Sequence, residues 1–178
     1  MRMSNIISIV CLSLLVSVTL AVKGVDTQFN VTVAQMKCIK ENIEIEDGKE
    51  KVKQYFITLR AWNGNRTLMP NIHENLKNAQ DGGVNASQVM LYVQPCGGRD
   101  DGKEQIKELF NNLTAEDKTR FTRVWINVET NPNNGCILSK NVDDNCKLVN
   151  DMIEEIKVQG KPIGIYSSIF MWKFYMGT

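Results

Sequence analysis

Three stretches decide the fold: QVMLYVQP (Gln88–Pro95), KEQIKELFNNL (Lys103–Leu113) and TRVWINVE (Thr122–Glu129). The first and third are β-branched and aromatic runs that read as buried strands. Between them Ile106, Leu109, Phe110 and Leu113 recur on one helical face. The unit is therefore strand, helix, strand.

Working outward, the same alternation fills the chain. Val22–Gln28 is a short apolar start, and Val31–Asn42 carries Val33, Met36 and Ile39 at helical spacing. The polar stretch Glu44–Lys53 precedes QYFITLRAW (Gln54–Trp62), which reads as a strand closed by the turn signal Asn63-Gly64. Pro70 opens a helix through Ile72, Leu76 and Ala79 that ends at Gly82-Gly83. On the C-terminal side, Val142, Cys146, Val149, Ile153 and Ile156 mark a helix capped by Asn141, acidic in its first turn at Asp143 and Asp144, and ended by Gly160. KPIGIYSS (Lys161–Ser168) is the last strand. Repeated β–α units with near-continuous apolar strands imply an α/β fold, a parallel sheet covered by helices. An open doubly wound sheet and a (β/α) barrel both fit this pattern.

The composition narrows the class. The chain has 178 residues, 43% hydrophobic and 23% charged, with 21 Lys+Arg against 20 Asp+Glu. That balance excludes a disordered tail and a strongly basic nucleic-acid binder, and a neutral surface has no electrostatic grip on anionic membranes. Met1-Arg2-Met3 followed by the apolar run Ile6–Val22 reads as a secretory signal peptide over residues 1–21 rather than a membrane anchor. Its removal takes 21 of the 178 residues and leaves 157, residues 22–178, as one domain. Export agrees with the cysteines. Cys11 leaves with the leader, and Cys38, Cys96, Cys136 and Cys146 suggest two disulfides. Of the three connectivities, Cys38–Cys96 with Cys136–Cys146 tangles least. The absence of any CxxC and the distance of the lone His73 from a cysteine pair argue against zinc. Sequons at Asn30, Asn65, Asn85 and Asn112 are the expected glycosylation sites and mark exposed turns.

In parallel α/β folds, function collects at the carboxyl ends of strands. There the sequence places Asp26, Arg60, Tyr92, Glu129 and Tyr166. Side chains alternate along a strand, so Trp125, Asn127 and Glu129 share one face while Val124, Ile126 and Val128 share the other. A carboxylate beside an aromatic ring and an amide is an unusual core choice, and desolvation there suits a general acid. Asp26 offers a second carboxylate, and two across a cleft are the minimum equipment for glycoside hydrolysis. The bland alternative is two solvated carboxylates at loop edges. A nucleophile–base arrangement of Ser167 or Ser168 with His73 lacks the G-x-S-x-G elbow. The loop Gly97–Gly102 matches neither a phosphate loop nor an EF-hand.

These residues resemble a known family. Gly24-Val25-Asp26, Phe56–Ala61, Asn78-Ala79 through Gly82 followed by Val89–Cys96, Val124–Glu129, and Gly164–Ser168 with Trp172 and Gly177 are similar, in order, to the motifs of the family 25 glycoside hydrolases, in their secreted eukaryotic form. The resemblance implies a TIM-like (β/α) barrel of five β/α units and three further strands, the last three without counterpart before Thr178. It implies lysozyme activity: hydrolysis of the bond between N-acetylmuramic acid and N-acetylglucosamine in bacterial peptidoglycan, in digestion or innate defence. Glu129 would be the general acid and base, Asp26 a cleft carboxylate, and Tyr92, Trp125 and Tyr166 the walls of sugar subsites. The family's D-x-E reads Asn127-Val128-Glu129 here, so Asn127 stands at the position of the family Asp. The expectation is a secreted monomer, extracellular or in a lysosomal or phagosomal lumen. Its partner would be peptidoglycan, with no cofactor, metal, nucleic acid or stable membrane insertion. A glycan-binding immune effector without turnover is the alternative.

Overall fold

The apolar runs become strands packed edge to edge. A computed structural model describes residues 23–42, 45–47, 50–52, 55–63, 65–98, 101–130 and 136–177. The expected leader at 1–21 lies outside them. In chain order the elements are β1 (Lys23–Thr27), α1 (Val33–Asn42), β2 (Ile45–Asp47), β3 (Glu50–Val52), β4 (Tyr55–Asn63), β5 (Thr67–Leu68), α2 (Ile72–Asp81), β6 (Val89–Val93), α3 (Gly102–Asn112), β7 (Arg123–Asn127), α4 (Val142–Val158), β8 (Ile163–Tyr166) and α5 (Ile169–Trp172), with a π-helical turn at Lys173–Gly177.

Five strands run parallel in the order β1-β4-β6-β7-β8. They are the five read from the sequence. Two small hairpins were not: β2 with β3 falls in the stretch read as polar, and β5 folds back antiparallel on the end of β4. The fold-back needs a left-handed residue, and Arg66 supplies it at φ 63°. The five expected β/α units form an open sheet rather than a closed barrel: among the described residues β1 and β8 are edges that do not meet, as an array lacking the three further strands requires. Closure needs a full circuit of tilted, paired strands, and five make an open wall.

One face of this wall is sealed. Ile57, Leu59, Ala61, Val89, Leu91, Val93, Val124, Ile126 and Val128 are all buried against the helices, none more than 1% exposed. Helices meet them with Met36 of α1, Ile72, Leu76 and Ala79 of α2, Ile106, Leu109 and Phe110 of α3, and Leu148, Met152 and Ile156 of α4. Helix ends follow their caps. Thr32 and Gln35 form a reciprocal capping box at α1, Asp101 accepts from the Glu104 amide at α3, and Asn141 accepts from Asp143 at α4. The buried face of α4 is turned from the expected one. Asn145, Leu148, Val149, Met152, Glu155 and Ile156 are buried, whereas Cys146 and Ile153 are only half-buried. Asn145 explains the turn. It exchanges two hydrogen bonds with the Ser139 backbone (2.9 and 2.8 Å) and donates to the Tyr175 carbonyl at 2.9 Å.

The disulfide pairing is also corrected. Cys96 is bonded to Cys136, with Cα atoms 4.1 Å apart. Cys38, on α1, and Cys146, on α4, stand outside it. Cys96 follows β6 and Cys136 follows β7, so neighbouring parallel strands deliver them to the same end of the sheet. Gln105, fully buried on α3, completes the anchor: its amide accepts from the Cys96 N–H (2.9 Å) and donates to the Cys96 carbonyl (3.1 Å). Asn30, Asn65, Asn85 and Asn112 are all exposed.

His73 does not meet Ser167 or Ser168. Its Nδ1 lies 2.7 Å from buried Asp117, which also accepts from the Thr114 amide and hydroxyl (3.0 and 2.7 Å) and from Arg120. Ser167 donates to the Val128 carbonyl, and Ser168 caps α5. Burial alone would raise the Asp117 pKa, but the hydrogen bonds from Thr114 and His73 outweigh it and hold the carboxyl below its ordinary value of 3.8.

Two stability predictions result. The Cys96–Cys136 bridge spans 40 residues, so the double variant Cys96→Ser, Cys136→Ser loses about 4 kcal/mol of unfolding free energy in the loop-entropy account, read by urea denaturation. Because the folded pKa of Asp117 is depressed, its contribution is fully present above the unfolded value and is lost as pH falls through the folded one. The stability gap between wild type and Asp117→Asn should stay constant from neutral pH to about 5 and shrink below that. A gap that widens on acidification would contradict the assignment.

Candidate active site

Sealing one face of the sheet sends every alternate residue to the other. That inner face is an open trough containing a cleft of about 420 Å³. β1 contributes Gly24 and Asp26, β4 Phe56 and Thr58, β6 Tyr92, β7 Trp125 and Asn127 with Glu129 beyond its end, and β8 Tyr166. All six residues expected at the site therefore line one cleft: Asp26, Tyr92, Trp125, Asn127, Glu129 and Tyr166.

Gly24, Phe56 and Thr58 also line it. The sequence held the signal for them, since Gly24 lies two residues before Asp26, and Phe56 and Thr58 lie four and two before Arg60. Strand register explains the glycine. Gly24 pairs with Phe56, and Gly164 pairs with Trp125. A Cβ at Gly24 would lie 2.1 Å from the Phe56 ring, and one at Gly164 would lie 2.2 Å from the Trp125 indole. Each ring thus covers the bare backbone of its neighbour. Trp125 is held further by its indole N–H, 3.0 Å from the Met90 sulfur, and by the Arg123 guanidinium 5.5 Å from the ring centre.

Tyr92 sits between the charges. Burial pushes its phenol above the ordinary value of 10.0; the Arg60 guanidinium opposes this, and the negative charges of Asp26 and Glu129 add to it. The phenol is therefore a neutral hydrogen-bond donor at physiological pH, within electrostatic reach of both carboxylates. Arg60 lies 5.9 Å from the centre of the Tyr92 ring. The Oδ1 of Asn127 is buried and accepts no hydrogen bond among the described residues, and Asn127 and Glu129 both line the cleft. Two carboxylates, a phenol donor, an amide and flat aromatic rings can grip a polar chain with apolar faces and can pass a proton to it. Among the described residues no three His, Cys, Asp or Glu side chains group to hold a metal ion, and no helix is long and apolar enough to cross a membrane.

The likeness to known proteins is consistent across sequence and structure. The chain is 25% identical over 163 residues to the probable GH family 25 lysozyme 2 of Dictyostelium discoideum, covering 92% of this chain and 68% of that one. Lysozyme-like protein 7 of Caenorhabditis elegans is 25% identical over 151 residues, 84% of this chain and 47% of its own. This chain therefore spans about half the length of that nematode relative. Among solved structures it superposes on a bacterial lysozyme from Streptomyces coelicolor with a TM-score of 0.66 at 16% identity, over 89% of this chain and 68% of that one. A muramidase from Trichobolus zukalii gives 0.61 at 14% identity, over 84% and 69%. The two structures share the fold of the strands and helices described above. The model of the Lysozyme-like protein 1 family matches residues 18–178, and this chain belongs to that family, as a lysozyme-like protein of the glycoside hydrolase family 25 type.

Proposed function

We propose that the trough binds bacterial peptidoglycan and that Glu129 cleaves its glycosidic bond, protonating the leaving oxygen and then activating water. The observation that carries this reading is the convergence of Asp26 from β1 and Glu129 from β7 on one cleft, with Tyr92 between them. Rings from Tyr92, Trp125 and Tyr166 supply faces on which the apolar sides of sugars stack, and Tyr166 is 55% exposed, open to a long polymer. The protein would act outside the cell or in a lysosomal or phagosomal lumen, in digestion or antibacterial defence, with glycans at exposed sequons. The names of its relatives support the reaction class.

Asn127 sets the rate in this proposal. A carboxylate at that position would oppose the positive charge of an oxocarbenium-like transition state, whereas the amide offers only a dipole. One specific feature, that neutral amide with its unused carbonyl oxygen, favours a second reading in which the chain holds peptidoglycan without turning it over.

Clearing of a peptidoglycan suspension, measured alongside co-sedimentation with it, separates the two. On the hydrolytic reading the wild type clears the suspension. Glu129→Gln lowers the rate on the order of 10²-fold or more while co-sedimentation is kept, and Asn127→Asp raises it by at least about tenfold. Sedimentation without clearing in the wild type and in Asn127→Asp alike would leave only the binding role. Gly164→Ala tests the platform. The added methyl displaces the Trp125 indole, and co-sedimentation should weaken several-fold. A variant that binds as the wild type does would remove Trp125 from the sugar path.

A further inference from the structure

Glu129 lies two residues beyond Asn127, the last residue of β7; the Val128 N–H still donates to the Tyr166 carbonyl at 2.8 Å and the Val128 carbonyl accepts from the Ser167 hydroxyl, which ties the chain before Glu129 to the β8 side, away from Asp26. Asp26 is the penultimate residue of β1, an edge strand with one neighbour among the described residues. The Val128 bonds face β8, so the tie across the sheet toward β1 is made by other contacts. A chain of side-chain hydrogen bonds runs across the strand ends at that level. Arg60 Nη1 donates to Gln28 Oε1 at 2.6 Å, two residues past Asp26. Arg60 Nη2 donates to Gln94 Oε1, two residues past Tyr92. Gln94 Nε2 donates to the Thr130 carbonyl, one residue past Glu129, at 3.4 Å. The Thr130 hydroxyl lies 3.3 Å from the Tyr175 hydroxyl, and the Tyr175 carbonyl is held by Asn145 on α4.

We propose that Arg60 is a positioning residue for the cleft: its fork ties the chain beyond Asp26 to the chain beyond Tyr92 and, through Gln94, to the chain beyond Glu129. Arg60 is suited to this because a rigid planar guanidinium reaches two acceptors at once, which a lysine ammonium on a flexible stem does not reproduce. Gln94 is suited because it is buried, 5% exposed, and uses its carbonyl for Arg60 and its amide for Thr130. The link bypasses β7 and fixes the residue after Glu129 directly from β6. The inference rests on the cleft reading above in so far as it concerns rate, but the girdle itself can be measured without turnover.

The test uses Arg60→Lys, Gln94→Leu and Gln28→Leu, with urea unfolding to confirm folding. Gln28 is exposed, so its replacement leaves the core intact and keeps the test available if Gln94→Leu does not fold. In peptidoglycan clearing, kcat should fall on the order of 10²-fold in Arg60→Lys and in Gln94→Leu, with KM within about threefold, as expected for misplaced reacting groups rather than lost binding. Folded variants with wild-type kcat overturn the proposal. If the wild type itself does not clear peptidoglycan, the hydrolytic reading has failed and the girdle is still read by ultraviolet titration of Tyr92, with Tyr92→Phe identifying its signal. Gln94→Leu and Gln28→Leu remove no charge, yet each should move the Tyr92 phenol further up by releasing Arg60 from above its ring. A Tyr92 titration identical to wild type in both variants overturns the proposal in that case.

Discussion

Everything at the site depends on the two-residue alternation of strands whose other face is sealed, with one shift of register between Arg60 and Trp62 on β4. Nine aliphatic side chains of β4, β6 and the β7 segment are pressed against the helices with no more than 1% exposure. Burying a side chain of this kind is worth roughly 1.5–3 kcal/mol, so slipping one strand by a single residue would forfeit the seal along its whole length. Register is thereby fixed by the apolar face, and the polar face inherits its geometry. Asp26 is level with Thr58, Tyr92 with Trp125, and Asn127 with Tyr166 because Val25 is level with Ile57, Leu91 with Val124, and Ile126 with Ile165.

Side-chain amides do for the loops what register does for the strands. Asn75 on α2 accepts from the Val31 N–H and donates to the Phe29 carbonyl, holding the connection after β1. Gln105 holds Cys96 after β6, and Asn145 holds Ser139 after β7. All three are at most 2% exposed. Leaving such a group unpaired would cost about 1–3 kcal/mol, whereas each bond made adds only about 1 kcal/mol net. Their effect is therefore mainly one of specificity: each loop has one position in which a buried amide is satisfied. The loops follow the carboxyl ends of β1, β6 and β7, and the disulfide covalently joins the last two.

The strands, the four long helices and the six cleft residues were legible because each depends on local periodicity or on a position near a strand end. The Asn141 cap illustrates how far local chemistry reaches. What escaped was set by partners distant in sequence. Cys96 and Cys136 meet because β6 and β7 are neighbours, a fact of topology that cysteine spacing does not contain. The turned face of α4 follows from Asn145, a polar residue that a hydrophobic count places outside. Arg60 shows both sides. Its place at the end of β4 could be read, but its acceptors lie 32 and 34 residues away in the chain.

Binding and bond cleavage rest on different parts of this trough. In the proposed function, stacking would use the faces of Tyr92, Trp125 and Tyr166, whose placement is fixed by strand register and by the bare backbone at Gly164. Proton transfer would use Glu129, one residue past the last backbone bond to β8 and next to Thr130, whose carbonyl accepts from Gln94. Charge stabilisation would use the position occupied by the neutral Asn127. A chain could therefore weaken the last two without disturbing the first, since among the described residues no hydrogen bond ties Tyr92, Trp125 or Tyr166 to a carboxylate. Measured against the aspartate that the family resemblance implies there, Asn127 would be a change of that kind: it keeps the volume of an aspartate and withdraws one negative charge. On the proposed function, glycan recognition would be the robust property of the trough and turnover the fragile one, because register and core packing secure the aromatic faces while a few polar contacts secure the carboxylates.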